Sequence, residues 1–143
     1  MKIKNSYKDL KVNLELQIDP NLQFSTDKEL LIIILKNLID NSIKYSDEGK
    51  KEAFIKIKIN EKNENLISIT IEDNGEGIDE MISDKVYDIF YRGSIKSKGS
   101  GLGLFITRKA VEKLEGEIQF KSVPHKSTIF TITLKMNIFS KIN

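Results

Sequence analysis

The sequence predicts an α+β fold: a two-layer α/β sandwich with helices on one face of a mixed, mostly antiparallel sheet. Two observations carry this. Several short segments alternate apolar and polar residues, which is the two-residue period of a strand with one buried face. Two longer segments instead carry apolar residues at helical spacing, and the order β-α-β-β-(irregular)-α-β-β suits helices covering one side of a single sheet.

Val12, Leu14, Leu16 and Ile18 alternate with polar residues and read as the first strand, a half-buried one. Asp19-Pro20-Asn21 ends it. Ser25 to Ser46 reads as a helix, with Thr26 as its N-cap and Glu29 at the capping-box spacing. Leu31, Ile34, Leu35 and Leu38 share one broad face, the expected core side. Asn37, Asn41 and Lys44 form another stripe, with Tyr45 at its edge. Each Asn costs up to roughly 0.7 kcal/mol against Ala inside a helix. Two of them one turn apart suggest that amide oxygens are wanted there, and a hard cation such as Mg²⁺ takes oxygen ligands. The plainer alternative is a pair of solvated surface residues.

Ile55, Ile57 and Ile59 form a second strand, Glu61 to Asn65 a polar turn, and Ile67, Ile69 and Ile71 a third strand, so the two read as a hairpin. The third strand runs into Glu72-Asp73-Asn74-Gly75-Glu76-Gly77-Ile78. Asn-Gly is commonly a hairpin turn, but residues 79 to 89 do not alternate like a returning strand. They read as short helical or irregular pieces anchored by Met81, Ile82, Val86 and Ile89. Two closely spaced glycines allow positive φ or a close backbone approach.

Phe90-Tyr91-Arg92-Gly93 precedes a polar stretch, Ser94 to Lys98, and then Gly99-Ser100-Gly101-Leu102-Gly103-Leu104. A second helix runs from there to about Leu114, with Gly116 placed as its C′ residue. Glycines at a helix N-terminus present free N–H groups to phosphate. No apolar strand leads into them, so this is not a dinucleotide fingerprint, and the Walker A pattern is absent. Ile118 to Val123 and Thr128 to Leu134 close the order as two strands around a turn at Pro124 to Ser127.

Composition narrows the function. A chain of 143 residues fits one domain. Its 23 basic and 21 acidic residues leave a net charge of +2, with no electrostatic footprint for nucleic acid or an anionic membrane. There is no cysteine, hence no disulfide frame and no thiolate nucleophile, and the one histidine, His125, sits in a turn. The longest apolar run, Leu30 to Leu35, is far short of a membrane span, and Met1 to Leu10 lacks the apolar core of a signal peptide. A cytoplasmic domain is the expectation.

Four separated motifs stand in one order, and together they resemble the ATP-binding catalytic domain of sensor histidine kinases. That domain shares a superfamily with DNA gyrase, mismatch-repair and heat-shock chaperone ATPases. The asparagine box is Leu35 to Ser46, the first glycine box Glu72 to Ile78, the phenylalanine box Ile89 to Gly93, and the second glycine box Gly99 to Leu104. The resemblance covers about 12–134, and the expectation is a single domain over 1–143.

The resemblance implies a set of roles. Asn41 would ligate the Mg²⁺ that bridges the ATP phosphates, with Asn37 assisting one turn earlier. Lys44 and Arg92 would contact phosphates, and these four would form the catalytic group. Tyr45 would lie against the adenine, whose amino group Asp73 would accept, helped by Thr128 through water. Gly75 and Gly77 would let the backbone pass the base, and Ile78 and Tyr91 would also belong to the ATP-binding residues. Ser94 to Gly101 would be a lid over the phosphates, and Gly99, Ser100, Gly101, Leu102, Gly103 and Leu104 would bind nucleotide at its root.

In hydrolysing relatives a Glu stands four residues before the metal-binding Asn. Here Asn37 stands there, so the resemblance favours phosphoryl transfer to a histidine over ATP hydrolysis. The helical hairpin carrying that histidine is missing, and His125 does not replace it. The implied partners are therefore ATP or ADP, the histidine-bearing dimerisation domain of a parent kinase and, indirectly, a response regulator. Nucleic acid and direct membrane contact are not expected, although the parent of such a domain is commonly membrane-anchored. The alternative is a nucleotide-dependent protein-interaction module with little or no catalysis.

Overall fold

The computed structural model describes residues 12–79, 81, 85–88 and 102–136. Among these, the elements follow the predicted order: β1 (Val12–Ile18), α1 (Lys28–Lys44), β2 (Ala53–Asn63), β3 (Leu66–Asp73), α2 (Gly103–Lys113), β4 (Glu117–Val123) and β5 (Ser127–Lys135). The strands form one sheet in the order β1-β2-β3-β5-β4. β1 runs parallel to β2, and the other neighbours are antiparallel.

Register turns the alternating patterns into rows that cross the sheet. Ile118, Ile132, Ile69, Ile59 and Ile18 form one row; Phe120, Phe130, Ile71, Ile57 and Leu16 form the next. These rows face the helices, where Ile34, Leu38 and Ile43 of α1 and Ala110 and Val111 of α2 complete the core. Each buried Ile or Leu contributes about 1.5–3 kcal/mol relative to an exposed one. The opposite face is polar: Gln119, Thr131, Thr70, Lys58 and Gln17 form one of its rows. That is the expected division between a covered face and an open one.

Several local expectations change. Asp27, not Thr26, caps α1: its Oδ1 accepts from Leu30 N–H at 3.1 Å. The capping-box spacing matched one residue too early, and Asp27 reaches the third helical N–H by itself. Within α1, Leu31 and Leu35 are half-buried while Ser42 and Ile43 join Ile34 and Leu38 inside. The turn of the β2–β3 hairpin is shorter than predicted: β2 continues to Asn63, with a register shift between Glu61 and Asn63. β1 is an edge strand, and Leu16 and Ile18 at its C-terminal half are 55% and 50% exposed, so only Val12 and Leu14 pack on the core.

Met81 is 88% exposed and anchors nothing, whereas Val86 is buried; Ile82 and Ile89 lie outside the described residues. At the end of α2 the left-handed residue is Glu115 (φ 55°), not Gly116. Glu115 N–H donates to Glu112 O at 2.9 Å and Gly116 N–H to Val111 O at 3.0 Å, the paired bonds of a Schellman closure. Gly116 is needed for another reason. A Cβ there would lie 2.6 Å from both Thr133 O and Leu134 Cδ2, so glycine lets the chain press against β5.

Candidate functional site

The apolar rows end at one edge of the core in a polar one. Ser122, Thr128 and Asp73 stand side by side on β4, β5 and β3, followed by Ile55 and Leu14. Asp73 is the last residue of β3, and only 9% of it is exposed. α1 crosses above this row and brings Ser42, whose hydroxyl donates to Asp73 Oδ2 at 2.9 Å. Gly75 N–H donates to Asp73 Oδ1 at 2.9 Å. Burial nevertheless pushes the Asp73 carboxyl above its ordinary range, because the charged form is poorly solvated there. The two hydrogen bonds and the nearby Lys50 ammonium oppose this; Glu72 adds to it.

Thr128 is also buried, and its Oγ1 lies 2.9 Å from Ser122 Oγ. Ser122 Oγ accepts from Ile78 N–H at 2.6 Å and donates to Ser127 O at 2.9 Å. With its own proton directed to Ser127, Ser122 takes the Thr128 proton, which leaves the free lone pairs of Thr128 to accept.

The loop after Asp73 is held backbone to backbone. Glu76 N–H donates to Tyr45 O at 2.9 Å, and Glu76 O accepts from His125 N–H at 2.6 Å. Gly75 packs so tightly on Tyr45 O that a Cβ would collide with it. Gly77 takes φ 74°, and a Cβ there would lie 2.5 Å from Val123 O. Both glycines thus fit the chain's own backbone first. Asn74 does not open a hairpin turn. Its side chain accepts from Phe54 N–H at 2.8 Å and donates to Glu52 O at 2.7 Å, extending the β2 pairing by one step. Lys50 Nζ gathers the carbonyls of Asn74, Gly75 and Lys126, tying the loops after α1, β3 and β4 together.

Within the asparagine stripe, Asn41 faces the start of α2. Asn37, Asn41, Lys44 and Tyr45 are half-buried at the C-terminal half of α1. The Cβ position of Gly103, the first residue of α2, lies 3.7 Å from Asn41 Oδ1. The hydrogen-bond ladder of α2 begins with Ile106 N–H to Leu102 O, so the N–H groups of the preceding residues lack helical partners. Gly103 therefore sits beside Asn41, with Leu102 and Leu104 as its neighbours in the chain. The arrangement joins a donor-rich helix start, an amide oxygen and, at the end of β3, a buried carboxyl group. Among the described residues no three His, Cys, Asp or Glu side chains cluster to hold a metal. Asn41 fits a hard cation that takes the rest of its oxygens from phosphate and water.

Tyr91, Arg92, Gly99, Ser100 and Gly101 lie outside the described residues, as does the rest of the expected lid. Ser42, Ser122, Asn74 and Lys50 were missed by sequence reasoning. Each acts through a contact 5 to 76 residues away along the chain, as in Ser42 to Asp73 and Lys50 to Lys126. Only the position of Ser42 beside Asn41 offered a hint.

A family model described as histidine kinase-, DNA gyrase B-, and HSP90-like ATPase matches residues 26–138. The chain is 38% identical over 120 residues to the sensor histidine kinase WalK of Bacillus subtilis, covering 81% of this chain and 19% of that protein. It is 35% identical over 144 residues to the histidine protein kinase SaeS of Staphylococcus epidermidis, covering 97% of this chain and 39% of that one. The chain thus spans a minor part of these relatives. A mycobacterial sensor histidine kinase, MprB, has the same fold, with a TM-score of 0.74, 24% identity, and coverage of 88% of this chain and 84% of that one.

Proposed function

Because this chain belongs to the histidine kinase-, DNA gyrase B-, and HSP90-like ATPase family, we propose that it is the ATP-binding catalytic domain of a two-component sensor histidine kinase. In this reading the γ-phosphoryl of ATP goes to a histidine on a separate dimerisation domain of the parent protein, and from there to a response regulator. The observation that carries it is the pairing of buried Asp73 at the end of β3 with Asn41 of α1, which stands beside the start of α2. One recognises a base, the other the phosphate end of the same ligand.

Asp73 accepts from the adenine amino group, and Thr128 offers an acceptor beside it. Tyr45, Gly75, Gly77 and Ile78 border the base. Asn41, with Asn37 one turn earlier, holds the metal end of the nucleotide, and Lys44 and Arg92 neutralise phosphate charge. Mg²⁺, when bound, would spread the charge of the transferring phosphoryl group. The N–H groups at the start of α2 receive phosphate oxygens, and Tyr91 and Gly99 to Gly101 complete the nucleotide contacts. Phosphoryl transfer asks a protein mainly for such positioning and neutralisation. Asn37 in place of a water-orienting Glu supports transfer over hydrolysis.

Calorimetric titration with ATP, with and without Mg²⁺, on the parent and on Asn41→Ala tests the site. Magnesium-dependent binding that the substitution weakens is expected. Labelling of a supplied dimerisation domain from radioactive ATP tests the transfer. A nucleotide-binding chain that leaves that domain unlabelled is not its kinase.

A further inference from the structure

We infer that Ser42 is a positioning residue for base recognition: its hydroxyl, donated to Asp73 Oδ2 at 2.9 Å, keeps that carboxyl group an acceptor and so commits the pocket to a purine with a 6-amino rather than a 6-oxo group. The inference rests on the nucleotide reading above.

The surroundings of Asp73 decide between its two forms. An ionised carboxylate only accepts, whereas a protonated one also donates. A 6-amino purine needs an acceptor at this point; a 6-oxo purine needs a donor. Burial favours the protonated form and pushes the group up. β2 offers only Ile55 as its neighbour, and Glu72 next to it on β3 repels a negative charge. From β5 the neighbour is Thr128, whose proton is directed to Ser122. Lys50 attracts the carboxylate from the loop after α1, although its ammonium is engaged with carbonyls.

Among the described residues, two groups donate directly to the carboxyl oxygens: Gly75 N–H to Oδ1 and Ser42 O–H to Oδ2. The amide is fixed by the backbone. The serine is the one of the two that a side-chain change removes, and Ser42 is itself buried, so no bulk water replaces it. Alanine in its place leaves the burial unchanged and suits a helix.

Two measurements on the parent and Ser42→Ala test this. One is a carbon-13 titration of the Asp73 carboxyl in the nucleotide-free chain. The other is the affinity for ATP and for inosine triphosphate from about pH 4 to 8, across the range where a raised carboxyl titrates. Losing a hydrogen bond to a charged group raises the Asp73 midpoint by about one pH unit. The acid loss of ATP affinity moves up by the same amount, and the preference for ATP over inosine triphosphate narrows by roughly tenfold between the two midpoints. An unmoved Asp73 midpoint, or an equal loss of both nucleotides at every pH, would overturn the assignment. A folded parent that binds neither nucleotide would instead overturn the nucleotide reading and the specificity with it, while the Asp73 titration still reports whether Ser42 controls the carboxyl.

Discussion

Asp73 carries a charge that folding disfavours and that binding of an adenine amino group would use. Its carboxyl is raised above the ordinary value of 3.8, so the folded chain holds this proton more tightly than the unfolded one. The sign follows: the group costs nothing below 3.8, and its penalty grows as pH rises from there through the raised value. Above the raised value the penalty is complete. Asp73→Asn removes it, so the nucleotide-free variant should melt no lower than the parent. Its ATP affinity should fall by roughly tenfold or more, the scale of a lost hydrogen bond to a charged group. Calorimetry and thermal denaturation together check both halves, and a variant that melts well below the parent makes Asp73 a structural residue. Asp73 was legible in the sequence because it ends an alternating strand just before Asn74-Gly75. Ser42 and Ser122 were not, because a serine's partner is set by register and helix placement, which no local pattern records.

At the scale of elements, the start of α1 separates two readings of one stretch. Asp27→Ala should cost about 1 kcal/mol, lowering the melting temperature by about 3–5 °C in a chain of this size. Thr26→Ala should cost distinctly less, and the reverse order would restore the capping box read from Thr26 and Glu29. The loops that border the site meet at Lys50. Lys50→Met leaves three carbonyls without that donor and should cost on the order of 1–2 kcal/mol. A lower urea midpoint and a weaker affinity for ATP are expected, whereas an unchanged midpoint would make the lysine a bystander. The strands were read within a few residues because alternation is a local signal. The caps were read one residue off at each helix: Thr26 for Asp27, and Gly116 for Glu115. Cap geometry depends on where the chain turns, not on which residue type is nearby.

Across the whole molecule, the sheet order β1-β2-β3-β5-β4 was not written in the chain, though the sandwich was. The hairpins β2–β3 and β4–β5 are local. The pairing of β3 with β5 joins Asp73 to Thr128 across more than fifty residues and assembles the polar row. Because the site draws on both helices and both hairpins, a ligand there should stabilise the entire fold. Mg·ATP at about a hundred times its dissociation constant adds about 2.7 kcal/mol, so the melting temperature should rise by roughly 8–13 °C. The rise should be lost in Asn41→Ala, and a thermal-shift titration reads it directly. A parent whose melting temperature ignores the nucleotide would argue against an ATP site built from these elements.

The backbone clamp on the loop from Gly75 to Gly77 has one more consequence, for how this protein can change over time. Glu76 spends both of its main-chain groups on Tyr45 and His125, yet its side chain is exposed. Its neighbours are fixed by sterics: Gly75 by the Tyr45 carbonyl, Gly77 by its φ and by Val123. Selection should therefore hold the two outer positions to glycine while the middle one drifts freely. In a library of variants screened for folding, that would read as a permissive codon between two forbidding ones.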